Sequence, residues 1–201
     1  MNLDFSDDQK FLKEEARKFL EKEEALARNR SVLESNNKVD ENLWNKIVEL
    51  GWTGIRIPEK YDGLGLGHLE LCVVAEELGR FLAPVPFSSS VYLFTETIIN
   101  FGSEAIKQAI LPKLVTGEIV GTLAVTEALM APSKNNITLS CKDGLLNGKK
   151  IAVPDAEIAT HAIVIAKTDQ GTSLQLVDLS SKGISIEHQE NIDESRGYFS
   201  I

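Results

Sequence analysis

The sequence predicts an α+β chain: a helical N-terminal domain over residues 1–118, then an antiparallel, barrel-like β domain over 119–201. Three observations predict it. Apolar residues recur at helical spacing as far as about Thr116. Beyond Gly117 the apolar runs are short, β-branched and bounded by turn residues. The composition, 43% hydrophobic and 25% charged, is globular and excludes wholesale disorder.

Ser6 with Gln9 forms a capping box, worth about 1 kcal/mol. Leu12, Ala16, Phe19 and Leu20 then share one helix face, with Lys and Glu on the other. The polar stretch Ser35-Asn36-Asn37 breaks this pattern. Asp40 caps a second helix carrying Leu43, Trp44, Ile47 and Val48, closed by Gly51. Trp44 and Trp52 read as core aromatics. The segment Ile57-Pro58-Glu59-Lys60-Tyr61-Asp62-Gly63-Leu64-Gly65-Leu66-Gly67 is rich in breakers. Its alternate glycines do not match the phosphate-loop pattern, so it reads as a plain loop. A long, mostly buried helix follows, with Leu71, Val74, Ala75, Leu78, Phe81 and Leu82 in one stripe, ended by Pro84 and Pro86. The next helix runs from about Ser88 to Phe101, with Val91, Phe94, Ile98 and Ile99 on one face. A last helix starts at Glu104 and runs to about Thr116, and Pro112 should kink it or split off its final turn.

The strand candidates are Ile119–Thr126, Ile137–Lys142, Leu145–Asn147, Ile163–Lys167, Leu174–Asp178 and Ile184–Glu187. Lys142-Asp143-Gly144 and Asn147-Gly148 are hairpin-turn signals, and Ser180-Ser181-Lys182-Gly183 is a further turn. The closing residues Tyr198-Phe199-Ser200-Ile201 read as strand.

The net charge of −9, spread over both halves, disfavours nucleic acid as a partner. Two cysteines, Cys72 and Cys141, make neither a disulfide framework nor a zinc ribbon and fit a reducing compartment. His68, His161 and His188 lack metal-ligand spacing, and His161, among apolar residues, reads as a packing histidine. No apolar run reaches the ~18 residues of a membrane span. The acidic start, Met1-Asn2-Leu3-Asp4-Phe5-Ser6-Asp7-Asp8, reads as neither secretory signal nor transit peptide, so a bacterial-type cytoplasm is the default expectation.

Five segments, taken in order, resemble the acyl-CoA dehydrogenase family. They are Pro58 to Gly65, Glu76-Glu77-Leu78-Gly79-Arg80, Leu111 to Glu118, Leu123-Ala124-Val125-Thr126-Glu127, and Asn147-Gly148-Lys149-Lys150; Asp193 to Gly197 is similar to a segment near the end of the family's middle domain. The resemblance implies FAD-dependent α,β-desaturation of an acyl-CoA thioester, from fatty acid or steroid side-chain oxidation. A carboxylate takes the α proton while a hydride passes from the β carbon to the flavin. It also implies an oligomer and, as electron acceptor, an electron-transfer flavoprotein. The family's third domain, a helical bundle with the catalytic Glu, much of the FAD pyrophosphate site and most of the oligomer interface, is not among these 201 residues. Such a chain is expected to be inactive by itself.

By the same resemblance, Leu123, Val125 and Thr126 lie along the flavin, with the Val125 backbone and the Thr126 hydroxyl at its polar edge. Val153 and Pro154 stand where the family has an aliphatic residue and a Thr or Ser hydroxyl near the flavin, and Ala131 and Pro132 where small residues and a ligand-touching Ser are usual. Ala152 replaces the stacking aromatic, and Asp62 stands where a Gly is usual. Two readings follow. One is a divergent enzyme. The other is a flavin-poor, non-catalytic subunit whose FAD is weak or partner-dependent and which pairs with an active homologue; the Ala83-Pro84-Val85-Pro86-Phe87 stretch resembles that two-chain branch. No internal base, catalytic residue or metal ligand is assigned: strand alternation turns Glu127 away from the Thr126 side, and Glu76 and Glu77 read as polar helix positions.

Overall fold

The computed structural model describes residues 4–35, 38–133 and 135–201. Asn36 and Asn37, the heart of the expected polar break, lie outside the described residues, as do Met1, Asn2 and Leu3 of the acidic start. The chain divides into two compact units, Met1–Val85 with Ser103–Glu118, and Pro86–Gly102 with Ile119–Ile201.

The first unit is helical. Helix α1 (Asp7–Lys22) carries the expected capping box: the Gln9 N–H donates to the Ser6 hydroxyl at 3.2 Å, and the Ser6 N–H to Gln9 Oε1 at 3.0 Å. Its inner face buries Ala16 and Leu20 completely. Helix α2 (Ala25–Leu33) follows Glu24 in the left-handed region. Asp40 caps α3 (Glu41–Glu49) by accepting the Leu43 N–H at 2.8 Å. Trp44 and Trp52 are buried, and Trp52 meets Phe19 edge to face at 5.4 Å.

The amides of the glycine-bearing stretch 63–66 are spent within the loop. Gly63, Leu64, Gly65 and Leu66 donate their N–H groups to the carbonyls of Pro58, Gly54, Ile57 and Ile55. Asp62 sits at φ 66°, which accounts for glycine being the usual residue there. Asp is among the side chains that best tolerate that region.

Helix α4 (His68–Arg80) packs on α1. Glu76 pairs with Lys13 at 2.7 Å near the surface. Glu77, expected as an ordinary polar position, is instead fully buried and takes a two-pronged grip from Arg17 at 2.8 and 3.0 Å. Helix α6 (Glu104–Val115) runs unsplit through Pro112, because proline removes one internal bond and the Thr116 N–H still reaches the Pro112 carbonyl.

The second unit opens with Ser88–Thr95, a helix of wide π-type winding that continues as α5 (Glu96–Phe101). Its strands are β1 (Gly121–Ala124), β2 (Ser140–Lys142), β3 (Leu145–Asn147), β4 (Val153–Pro154), β5 (His161–Thr168), β6 (Gly171–Asp178), β7 (Glu187–Gln189) and β8 (Tyr198–Ser200). The Asp143-Gly144 turn, both residues at positive φ, closes the β2–β3 hairpin as expected. Asn147-Gly148 closes none; Gly148 presses on Leu139, where a Cβ would come within 2.8 Å.

The mixed α+β class holds, but the sheet differs from an antiparallel barrel. Strand β5 pairs with β6 antiparallel along its whole length, and with β1 and β2 in parallel. A strand has only two edges, so β1 and β2 share one: β1 covers His161 to Val164, and β2 meets it at Lys167. A second sheet runs β4-β8-β7. Among the described residues the two sheets do not close into a barrel. The core joins Ala124, Leu139, Val153, Val164, Leu179 and Phe199. No helix among the described residues is long and apolar enough to cross a membrane.

Candidate functional site

Where β1 and β2 share the β5 edge, the chain leaves the sheet after Ala124 and rejoins it at Ser140. This exit carries Val125, Thr126 and Glu127, and the segment Lys150 to Pro154 runs beside it. The Ile151 N–H donates to the Thr126 carbonyl at 2.8 Å. The Thr122 hydroxyl, fully buried, donates to the Pro154 carbonyl at 2.6 Å. Two segments far apart in sequence are thereby laid side by side.

A buried ion pair holds this junction. Lys150, with no side-chain exposure, donates to Glu127 Oε1 at 2.7 Å and to the Val125 carbonyl at 3.1 Å. The Glu127 carboxylate also accepts from the Thr138 N–H at 2.6 Å, the Thr138 hydroxyl at 2.5 Å and the Leu139 N–H at 3.1 Å. It thus joins the two ends of the 128–137 excursion. Burial pushes its pKa up, but Lys150, Thr138 and the main-chain donors outweigh that and hold it at about 2. A carboxylate so engaged is an anchor and a poor proton acceptor.

Thr126 itself is half-buried. Its carbonyl is taken by Ile151, while its N–H and hydroxyl have no hydrogen-bond partner among the described residues. The exit therefore presents two adjacent donors. Leu123 is half-buried on β1. Val153 turns fully into the core, so its side chain is closed to any ligand. Pro154 spends its carbonyl on Thr122 and has no N–H to offer. Ala152, at φ 52°, donates its N–H to Gln189 at 2.7 Å. Ala131 and Pro132 lie on an exposed loop, where Asn136 donates to the Ala131 carbonyl at 2.7 Å; among the described residues no hydrogen bond ties either to β1 or β4.

Behind β4 lies a second polar cluster. Asp155, only 3% exposed, accepts from the Ser89 hydroxyl and from Arg196, both at 2.6 Å. This links the 193–197 segment to the 150–155 segment. The sequence singles out the pieces holding Glu127, Lys150 and Arg196 but not their partnerships; Glu127 and Lys150, charged residues bordering apolar runs, carry the available signal, whereas Arg196 lies in the polar run Asp193 to Gly197. His161 is half-buried with its Nδ1 3.0 Å from the Thr160 hydroxyl, as suits a packing histidine. No group of three or more His, Cys, Asp or Glu among the described residues could hold a metal ion. A cavity of about 470 Å³ opens between the β2–β3 hairpin and the 179–185 turn, lined by Leu139, Cys141, Leu146, Val177, Ile184 and Ile201. Polar side chains, among them Gln175, Asp178, Ser181 and Lys182, share its wall, and none of the residues of the β1 exit, Val125 to Glu127, lines it.

Residues 6–118 match the family profile "Acyl-CoA dehydrogenase, N-terminal domain". The chain is 32% identical over 193 residues to the mitochondrial isovaleryl-CoA dehydrogenase of Oryza sativa subsp. japonica, covering 90% of this chain and 44% of that protein. Among solved structures, the Tcur3481-Tcur3483 steroid ACAD superposes with a TM-score of 0.84 at 30% identity, over 96% of this chain and 54% of that one. The butyryl-CoA dehydrogenase of Megasphaera elsdenii does so with a TM-score of 0.85 at 26% identity, over all of this chain and 56% of that one. The chain spans about half the length of the relatives it matches. With a matching profile over more than half its residues and the same fold throughout, the chain belongs to the acyl-CoA dehydrogenase family.

Proposed function

We propose that this chain is the N-terminal and middle portion of an FAD-dependent acyl-CoA dehydrogenase and supplies the edge on which the flavin ring rests. The observation that carries this reading is the pair of unpartnered donors on Thr126, its N–H and its hydroxyl. They suit a planar ligand edge made of acceptors, such as the carbonyls and imine nitrogens of an isoalloxazine. When bound, FAD supplies the acceptor for the hydride that leaves the acyl β carbon. The chain's own part is to bind and orient. Thr126 donates, Ile151 fixes the Thr126 carbonyl, and Lys150 with Glu127 fixes the exit from β1. Neither Glu127 nor Asp155 is free to take the α proton, since both carboxylates are buried in ion pairs.

The fit is one-sided, and this favours a second reading. Ala152 offers no ring to cover the flavin, and Pro154 no hydroxyl or N–H. A chain so altered suits a subunit that pairs with an active homologue and holds flavin weakly or jointly. The family relatives make an oligomer the general expectation, with an acyl-CoA as substrate and an electron-transfer flavoprotein as the acceptor. The visible spectrum of the natural gene product, expressed alone, tests this. A near-stoichiometric flavin band supports the enzyme. A protein that stays colourless after FAD is added overturns it in favour of the partner subunit.

A further inference from the structure

The peptide unit joining Val125 to Thr126 is loaded at one end and open at the other. Its carbonyl accepts a bond from Lys150 Nζ at 3.1 Å. Its N–H, on Thr126, has no partner among the described residues. Lys150 is fully buried, so its field is poorly screened by water. A cation at a peptide oxygen draws electron density from the whole unit and makes its N–H a stronger donor. Glu127 returns negative charge to the lysine, but it shares that charge with the Thr138 and Leu139 donors on its other side.

We propose that Lys150, acting through the Val125 carbonyl, sets the donor strength of the Thr126 N–H and thereby the reduction potential of a flavin held on that amide. The inference rests on the flavin reading above. A hydride brings two electrons and one proton, so the ring gains one negative charge when the substrate is oxidised. A stronger donor at its acceptor edge favours that charged form over the neutral one. Lys150 is a positioning residue in this account, since it touches neither flavin nor substrate.

The test is a potentiometric titration with dithionite of the full-length, FAD-loaded protein and three variants. Lys150→Met removes the charge and keeps the stem. It should lower the potential by about 30 mV or more, a tenfold loss of preference for reduced over oxidised flavin. Glu127→Gln leaves the cation without its counter-charge and should raise the potential. Should Lys150→Met fail to fold because Glu127 is left buried and unpaired, the doubly neutral Lys150→Met/Glu127→Gln protein carries the same readout, with a potential below the wild type. Opposite signs for the two charges are the expected result, because a packing role would shift both variants alike or neither. Bound flavin at the wild-type potential in the lysine variants, or equal shifts in both single variants, overturns this inference alone. A wild-type protein that takes up no flavin overturns the flavin reading and this inference with it.

Discussion

Glu127 shows how a single buried carboxylate can govern both local geometry and acid stability. Its ordinary pKa is 4.5, and the folded value is about 2. A depressed folded pKa means that the charged form is the one the fold stabilises. The contribution is therefore full above about pH 5 and is lost as pH falls toward 2. At ~1.4 kcal/mol per unit it amounts to about 3 kcal/mol. Glu127→Gln cannot lose that term on acidification, since it has no proton to gain. Urea unfolding of the two proteins from pH 7 to pH 2.5 should show a stability gap at neutral pH that narrows steadily below pH 5. A gap independent of pH would mean that the carboxylate's charge contributes nothing. The same residue shows what was legible. The Thr126-Glu127 and Asn147-Gly148-Lys149-Lys150 motifs stood out in the sequence, yet their meeting did not, because no local spacing rule relates partners 23 positions apart. Glu77 was misjudged for a similar reason: on α4 it looks like a solvated position until Arg17 of α1 arrives beside it.

At the scale of elements, helices were easier to read than sheet partners. Helical period and caps are local, and Ser6, Asp40 and Ser103 cap as their sequence positions require. Strand runs are also local, but which strands pair, and in which direction, depends on residues far away. The parallel β1–β5 pair is therefore invisible to periodicity. The π-type winding of Ser88–Thr95 was hidden too, because Val91, Phe94 and Ile98 line one face in an α-helical reading as well. Its register is held both from β1 and from within the segment. The Gly121 N–H of β1 donates to the Ser90 hydroxyl at 3.2 Å, and the Thr95 hydroxyl reaches five residues back to the Ser90 carbonyl at 2.8 Å. Phe94, fully buried, lies against Gly121 so closely that a Cβ there would sit 2.0 Å from its ring. Gly121→Ala should therefore destabilise the protein by about 1–3 kcal/mol, as expected for overpacking a filled core. Thermal unfolding with near-ultraviolet circular dichroism checks this, and a variant as stable as the wild type would mean that the β1 contact is loose. A compensating Phe94→Leu on the alanine background should recover part of the loss.

For the whole molecule, the order of residues and the order of packing disagree. Residues 86–102 follow the first helices in sequence but belong with the strands, whereas 103–118 return to the helical unit. The division at residue 118, natural from texture alone, marks where strand-forming sequence begins, and packing follows other lines. The reason is chemical. Without Ser88–Thr95, β1 loses the Phe94 ring and the Ser90 acceptor, and Asp155 loses the Ser89 hydroxyl, leaving an almost fully buried carboxylate on Arg196 alone. A buried carboxylate stripped of one partner and a core stripped of a phenylalanine each cost on the order of 1–5 kcal/mol. That is a large share of the 5–15 kcal/mol by which a domain is stable. A fragment of residues 119–201 should accordingly give a poorly dispersed proton NMR spectrum and no cooperative urea transition. Residues 86–201 should regain dispersed methyl signals, including ring-shifted ones from groups packed on Phe94. If the shorter fragment folds as well as the longer, the contacts made by Ser89, Ser90 and Phe94 are dispensable. The exit from β1 that carries Thr126 would then owe its geometry to the Lys150–Glu127 pair and the bonds from Ile151 and Thr122, with no help from the helix.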